Sequence, residues 1–201
     1  MNGETRRKDN GRPARRDQRR VLGIAGSPRK HGNSAILLAK VLDELGGECR
    51  TETVFLVDCD IRPCEGCHYC ESHGSCRIRD DMSDLHRRLL GADAVLLAAP
   101  AYMGGLASRM QAFMERTWPL RKGQMVGKVG SYVVAGRRRP GMATGVMEAY
   151  FTRLGMTKLP GVLGFAFEPG GITQDQEAVD QTRRLARDVR NHLGLTEKHG
   201  V

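Results

Sequence analysis

Five short apolar runs alternating with stretches of helical periodicity predict an α/β protein with a doubly wound, five-stranded parallel sheet and helices on both faces. Two further observations agree. The runs are apolar throughout, as in strands buried on both faces, and loops rich in Gly, Ser, Pro or Asn punctuate them. At 201 residues the chain is long enough for one domain with a substantial core and short for two.

Residues 1–19 read as a disordered basic tail. Residues 1–20 carry eight Lys/Arg against three Asp/Glu, a net +5 of the chain's formal +9, with no apolar stretch of the kind a signal peptide has. A nucleic-acid partner is disfavoured, because no aromatic or periodic pattern accompanies that charge. No apolar run reaches the length of a bilayer span, so a cytoplasmic protein with no membrane partner is expected.

Val21-Leu22-Gly23-Ile24-Ala25 is the first expected strand. After the loop Gly26–Gly32, Asn33 or Ser34 can cap a helix whose Leu37, Leu38, Val41, Leu42 and Leu45 recur at helical spacing before Gly46-Gly47. Thr53–Val57 is the second strand, and a segment rich in Cys, Gly, Pro and His follows it as an insertion over 59–80. Ser83 then opens a helix with Leu85, Leu89 and Leu90, with Asp80 and Asp81 at its positive dipole end. Ala94–Ala99 is the third strand. It leads through Pro100-Ala101-Tyr102-Met103-Gly104-Gly105 to a helix with Met110, Phe113 and Met114 on one side. Val129–Ala135 is the fourth strand, followed by a helix with Val146, Met147, Tyr150 and Leu154. Val162–Phe167 is a weaker fifth strand. The last helix opens on a Thr173/Gln176 capping box and buries Val179, Leu185, Val189 and Leu193.

The insertion holds Cys64, Cys67, Cys70 and Cys76, four of the six cysteines in thirteen residues. Three thiols at three-residue spacing and a fourth after a short loop suit a cubane iron–sulfur cluster. A structural zinc site usually takes two C-x₂-C pairs a dozen or more residues apart, and cysteines two residues apart pair only with strain. Zinc or another metal, and an unmetallated or redox-disulfide remnant, stay open alongside the cluster. His68, Tyr69 and His73 could donate hydrogen bonds to cluster sulfurs, although loop histidines more often face water. Cys49 and Cys59 have no spacing partner and read as small buried residues.

In doubly wound sheets, ligands bind beyond the carboxyl ends of the strands at the switch point. The first such loop, Gly26-Ser27-Pro28-Arg29-Lys30-His31-Gly32-Asn33-Ser34, runs into a helix N-terminus. Its backbone N–H groups, the Ser27 and Ser34 hydroxyls and Arg29 suit a terminal phosphate. It is neither a Walker loop nor G-x-G-x-x-G, which argues against nucleoside triphosphates and a Rossmann dinucleotide site.

These loops, with Cys64-x₂-Cys67-x₂-Cys70-x₅-Cys76 ahead of Asp80-Asp81-Met82, resemble the iron–sulfur flavoprotein branch of the NAD(P)H-dependent FMN reductases. The resemblance spans about 20–195 and implies a flavodoxin-like, FMN-binding domain over those residues, with a 4Fe-4S cluster on the 59–80 loop. It places Ser27, Arg29, Asn33 and Ser34 at the FMN phosphate. Pro100, Tyr102, Met103, Gly104 and Gly105 face the isoalloxazine, with Gly136 in the third loop. Cys64, Cys67, Cys70 and Cys76 become the cluster ligands. The run Arg137-Arg138-Arg139 departs from the glycine-dominated loop expected there and reads as a solvated charge run, with the phosphate of NADPH as a second reading. No protein side chain need be catalytic, because flavin N5 carries the chemistry. The implied activity is electron passage between cluster and FMN. The donor is NAD(P)H or ferredoxin, the acceptor is a small molecule or a redox carrier protein, and the assembly is a homodimer or homotetramer. The alternatives are a cluster-free NAD(P)H-dependent FMN or quinone reductase and a cysteine-loop redox or metal sensor.

Overall fold

The computed structural model describes residues 18–195, so the expected basic tail lies, except for its last two residues, outside the described residues. From Arg19 onward the chain is tied down by pairing. Arg19 donates to Asp93 at 2.7 Å, and Arg20 opens the first strand with its N–H on the same carboxylate at 2.8 Å.

The strands are β1 (Arg20–Ala25), β2 (Arg50–Phe55), β3 (Ala94–Tyr102), β4 (Gly105–Leu106), β5 (Val129–Gly136), β6 (Thr157–Lys158) and β7 (Val162–Phe165). The helices are α1 (Asn33–Leu45), α2 (Tyr69–His73), α3 (Met82–Gly91), α4 (Ser108–Arg116), α5 (Ala143–Arg153) and α6 (Gln176–His192). The sheet runs β2-β1-β3-β5 and then β6, with β7 also paired to β5. Those pairings are parallel. The expected fifth strand is thus two pieces on one edge, β6 and β7, interrupted at Leu159-Pro160-Gly161. Pro160 has no N–H for a ladder, and its carbonyl accepts instead from Ser131 Oγ at 3.0 Å. The chain turns left from β1 to β2 and then right to β3, so the switch point lies between β1 and β3.

Alternation along each strand divides the core in two. Leu22 and Ile24 join the cluster holding Met82, Leu85 and Leu89 of α3, Met110 and Phe113 of α4, and Met147 and Phe151 of α5. Val21 and Ala25 face the other way, against Leu37, Leu38, Val41 and Leu45 of α1 and Leu185, Ala186 and Val189 of α6. The sheet is therefore covered on both faces, which is why its strands read as unbroken apolar runs.

Several boundaries differ from expectation for local reasons. β2 begins earlier, at Arg50, and its polar Thr51 and Glu52 fit because it is an edge strand. Gly32, not Asn33 or Ser34, is the residue before α1. α6 is capped by Asp175, whose carboxylate accepts from Ala178 N–H at 3.1 Å. The expected capping residue Thr173 sits in the preceding 3₁₀ turn, and Val179 is only half-buried.

Candidate functional site

The carboxyl ends of β1, β3, β5 and β7 open into one cavity of about 710 Å³, lined by the loops that follow them. That volume lies inside the roughly 300–1,000 Å³ range usual for small-molecule sites. Of the expected cofactor residues, Ser27, Arg29, Asn33, Ser34, Pro100, Tyr102, Met103 and Gly136 line it together; Gly104 and Gly105 do not. Gly104 lies in the turn between β3 and β4, and Gly105 opens β4. Tyr102 pairs with Gly105 across the short β3–β4 hairpin, and Met103 and Gly104 carry φ of 50° and 79°, the positive pair that a two-residue hairpin turn favours. Gly104 O accepts from Met142 N–H at 2.7 Å, tying the hairpin to the start of α5. The same turn leaves Met103 fully exposed and Tyr102 45% exposed at the cavity rim.

At the β1 end, Ser27 and Ser34 are buried. Ser27 Oγ accepts from Arg29 N–H at 3.1 Å, which folds the loop back on itself. Ser34 Oγ is buried without a hydrogen-bond partner, in a wall of the cavity next to the exposed Arg29. A side chain at Gly32 would stand 2.6 Å from Ser27 Oγ, so the cradle exists only because glycine leaves it open. An unmet buried hydroxyl, a nearby cation and the start of a thirteen-residue helix form an anion site that fits a terminal phosphate.

Asn33 lines the cavity and also tethers a neighbouring loop. Its Nδ2 donates to Glu168 O at 3.0 Å and its Oδ1 accepts from Gly170 N–H at 2.8 Å. Its side chain thereby clamps the loop after β7 over the cavity. That loop supplies Ala166, Phe167, Glu168 and Pro169 to the lining, residues that sequence reasoning did not single out. The available signal was the turn-rich Pro169-Gly170-Gly171 at the carboxyl end of a strand. Arg137, Arg138 and Arg139 are all exposed, and Arg137 also lines the cavity.

The cysteine segment follows β2. All six cysteines are free thiols; Cys64 and Cys67 are exposed, Cys70 and Cys76 half-buried, and Cys49 buried. Cys49 Sγ reaches only Leu45 O, at 3.4 Å, and behaves as the small core residue expected. Burial holds the Cys70 thiol above its ordinary pKa. Gly66 N–H points at Cys64 Sγ at 3.4 Å, a hydrogen bond that favours the thiolate. His68 takes a left-handed conformation, φ 57°. His73 stacks on Tyr69 with centroids 3.8 Å apart, and its Nδ1 lies 2.8 Å from Ser72 Oγ. Among the described residues no three His, Cys, Asp or Glu side chains are drawn together as a metal site. The segment thus carries a donor set that fits a thiolate-ligated cluster, one backbone amide already turned toward a sulfur, and no preformed cage.

What is preformed is the mount. Asp80, expected simply to open α3, instead forms a fully buried ion pair with Arg116 of α4, Nη1–Oδ2 2.6 Å and Nη2–Oδ1 3.0 Å. Burial alone raises the Asp80 carboxyl, but hydrogen bonds from Arg116 and from the Arg62 and Met82 N–H groups outweigh it and hold the group below its ordinary value. Arg116 Nη1 also donates to Arg62 O at 2.6 Å, and Arg62 N–H to Asp80 Oδ2 at 3.1 Å. The two ends of the cysteine segment are therefore stapled to each other and to α4. Asp81 adds a bond from Asp60 N–H at 2.7 Å. His86 Nε2, facing a carbonyl, donates to Arg116 O at 2.9 Å, and burial pushes its pKa down.

Comparison with known proteins agrees with this geometry. A family model described as NADPH-dependent FMN reductase matches residues 19–169. The chain is similar to an iron–sulfur flavoprotein of Methanocaldococcus jannaschii, 32% identical over 192 residues that cover 89% of this chain and 100% of that one. It is also similar to an iron–sulfur flavoprotein of Archaeoglobus fulgidus, 36% identical over 195 residues covering 89% and 97%. Among solved structures, an FMN-dependent NADH-azoreductase of Bacillus anthracis in complex with FMN superposes with a TM-score of 0.67 at 13% identity, covering 85% of this chain and 99% of the other; at that identity it speaks for the fold. With a flavodoxin-like sheet, a phosphate cradle after β1 and these relatives, the chain belongs to the NADPH-dependent FMN reductase family, in the branch of the iron–sulfur flavoproteins.

Proposed function

We propose that this flavoprotein couples FMN to a 4Fe-4S cluster carried by Cys64, Cys67, Cys70 and Cys76, and so joins one-electron to two-electron redox chemistry. The observation that carries the reading is the coexistence, on one chain, of the 710 Å³ cavity with its unmet Ser34 hydroxyl and a separate segment of four free thiols on a buried ion-pair mount. When bound, FMN supplies an N5 that takes a hydride or single electrons, and a cluster passes electrons singly. The chain's own task is positioning. Ser27, Ser34 and Arg29 hold the phosphate, Asn33 keeps the 166–169 loop over the cavity, and Tyr102 and Met103 form the rim against which a flat acceptor slides. NAD(P)H or ferredoxin is the donor class, and a small molecule or redox carrier protein the acceptor class. The exposed Tyr102, Met103, Met142 and Phe167 suit a homo-oligomer in which a second copy covers part of this apolar surface.

The test is anaerobic purification followed by an absorbance spectrum and counts of flavin, iron and acid-labile sulfide. Flavin bands over a broad visible shoulder, with about four iron and four sulfide per FMN, are expected. Flavin alone would leave the plain FMN reductase reading in its place.

A further inference from the structure

The run Arg137-Arg138-Arg139 has no role in the site described so far. It follows Gly136, the last residue of β5, and is pinned on both sides. Ala166 N–H donates to Gly136 O at 3.0 Å, and Met142 N–H donates to Gly104 O at 2.7 Å. Gly141, at φ 59°, lies so close to the β3–β4 hairpin that a side chain there would stand 2.6 Å from Gly104 O. The run is therefore a short bridge between two fixed points, which sets the backbone of Arg137 at the cavity rim. Of the three, only Arg137 lines the cavity, and among the described residues no hydrogen bond or ion pair engages its guanidinium. The other charged groups on the lining are Arg29, beside the phosphate cradle, and the carboxylate of Glu168; Tyr102 adds a phenol. Sheet order separates the two cations. Arg29 follows β1 and Arg137 follows β5, two strands away across β3, or about 10 Å at the usual strand spacing. A phosphate in the cradle leaves the part of the cavity between the β3 and β5 loops for the rest of its ligand, and Arg137 is the cation there.

We infer that Arg137 stabilises the negative charge that the FMN ring acquires on reduction, and so raises the flavin's reduction potential. The inference rests on the FMN reading of the cavity. A hydride brings two electrons and one proton, so the ring gains one negative charge unless a second proton follows. A nearby cation with no partner of its own favours that charged form over the neutral oxidised ring. Arg137 thereby holds reduced FMN more tightly than oxidised FMN, and this difference in affinity is the shift in potential. Arg138 and Arg139 stand outside the lining and take no part.

The test uses the full chain loaded with FMN, and reads the flavin midpoint potential at neutral pH together with the Kd of oxidised and of reduced FMN. Arg137→Gln removes the charge. It should weaken reduced FMN about tenfold more than oxidised FMN, and lower the two-electron midpoint by the 30 mV or so that equals that ratio. Arg137→Lys, which keeps the charge, should recover most of the difference. Arg138→Gln should leave the potential at the wild-type value. If Arg137→Gln weakens both forms equally, or neither, and the potential stays where it was, the inference is overturned. It is overturned too if the potential holds while the variant loses a preference for NADPH over NADH, since Arg137 would then read a dinucleotide phosphate. A wild-type chain that takes up no FMN is a distinct result, which overturns the FMN reading itself and this inference with it.

Discussion

The cavity and the cysteine segment, proposed above to hold FMN and a cluster, are built by opposite means. The cavity is a product of the sheet: four strands end at it, and its glycine turn, its buried hydroxyls and its Asn33 clamp are in place without any ligand. The cysteine segment has only the five-residue α2 inside it, largely exposed thiols, and sulfurs that do not converge. Its order is borrowed. Arg116 and Asp80 hold its ends, and Arg121 and Lys122 reach across to Glu71, with Lys122 Nζ on the Glu71 carbonyl at 2.9 Å. A phosphate can be bound by backbone that the fold must position anyway, whereas four thiolates need a core to close around and are completed by what they bind.

The sharpest way to break this comparison is to remove the thiols. Cys→Ala at 64, 67, 70 or 76 is expected to bring iron to background while FMN content stays within about twofold of wild type, because no cysteine is among the residues that line the cavity; Cys49→Ala should change neither count. Metal analysis and heat release of flavin read both. Loss of FMN together with the iron would mean that the two sites fold as one unit.

Next in size is an attack on the cavity alone. Ser34→Glu places a carboxylate where the unmet hydroxyl stands. Like charges at such a distance cost about 3 kcal/mol, or about 100-fold in Kd, and flavin fluorescence quenching measures it. Iron content should be unchanged. A smaller effect is expected from Asn33→Ala, which frees the 166–170 loop by deleting two hydrogen bonds of roughly 1 kcal/mol each. FMN should bind about tenfold more weakly, with faster hydrogen exchange confined to that loop.

The two regions also differ in how far the sequence foretold them. Strand order class, helix faces and the β1 loop were legible because burial on both faces writes itself as unbroken apolar runs, and helix packing as 3.6-residue periodicity. The grouping of Cys64, Cys67, Cys70 and Cys76 in one segment was legible from spacing. The Asn33 clamp was not, since a polar residue at a helix start reads equally as cap, phosphate ligand or, as here, a tether to residues more than 130 positions away. Nor was the Asp80–Arg116 pair: Asp-Asp before a helix is the ordinary mark of a favourable dipole end, and nothing local shows that one of the two turns inward to meet a cation 36 residues on. Gly104 was read for its smallness beside the flavin, and the structure shows in addition that it sits, with Met103, at the β3–β4 turn next to Tyr102. Local pattern reports burial and conformation; partners far apart in the chain are fixed only by topology.

The smallest expected effect concerns acid, and it separates the mount from the cavity. His86 is buried against the Arg116 carbonyl with its pKa pushed down, first by burial and with the nearby Arg116 charge adding to it. In the unfolded chain a histidine takes up its proton near pH 6.5, so below that pH the unfolded state binds more protons than the folded one. The stability contributed by neutral His86 is therefore complete above about pH 6.5 and declines as pH falls through that value. Asp80 follows the same sign in a lower window: its stabilisation is present above the ordinary carboxylate range, near pH 4, and is lost as pH falls below it. Between pH 7 and 5 the wild-type protein should lose a little thermal stability that His86→Gln, which keeps an N–H for the carbonyl, does not lose. Hydrogen exchange corrected for intrinsic rate should localise the loosening to residues 59–86 and α4, with the Ser27–Ser34 loop protected to the same degree at both pH values. Equal loosening of the phosphate loop would show that the mount and the cavity share one cooperative unit, and the contrast between the two sites would then be one of geometry without a counterpart in stability.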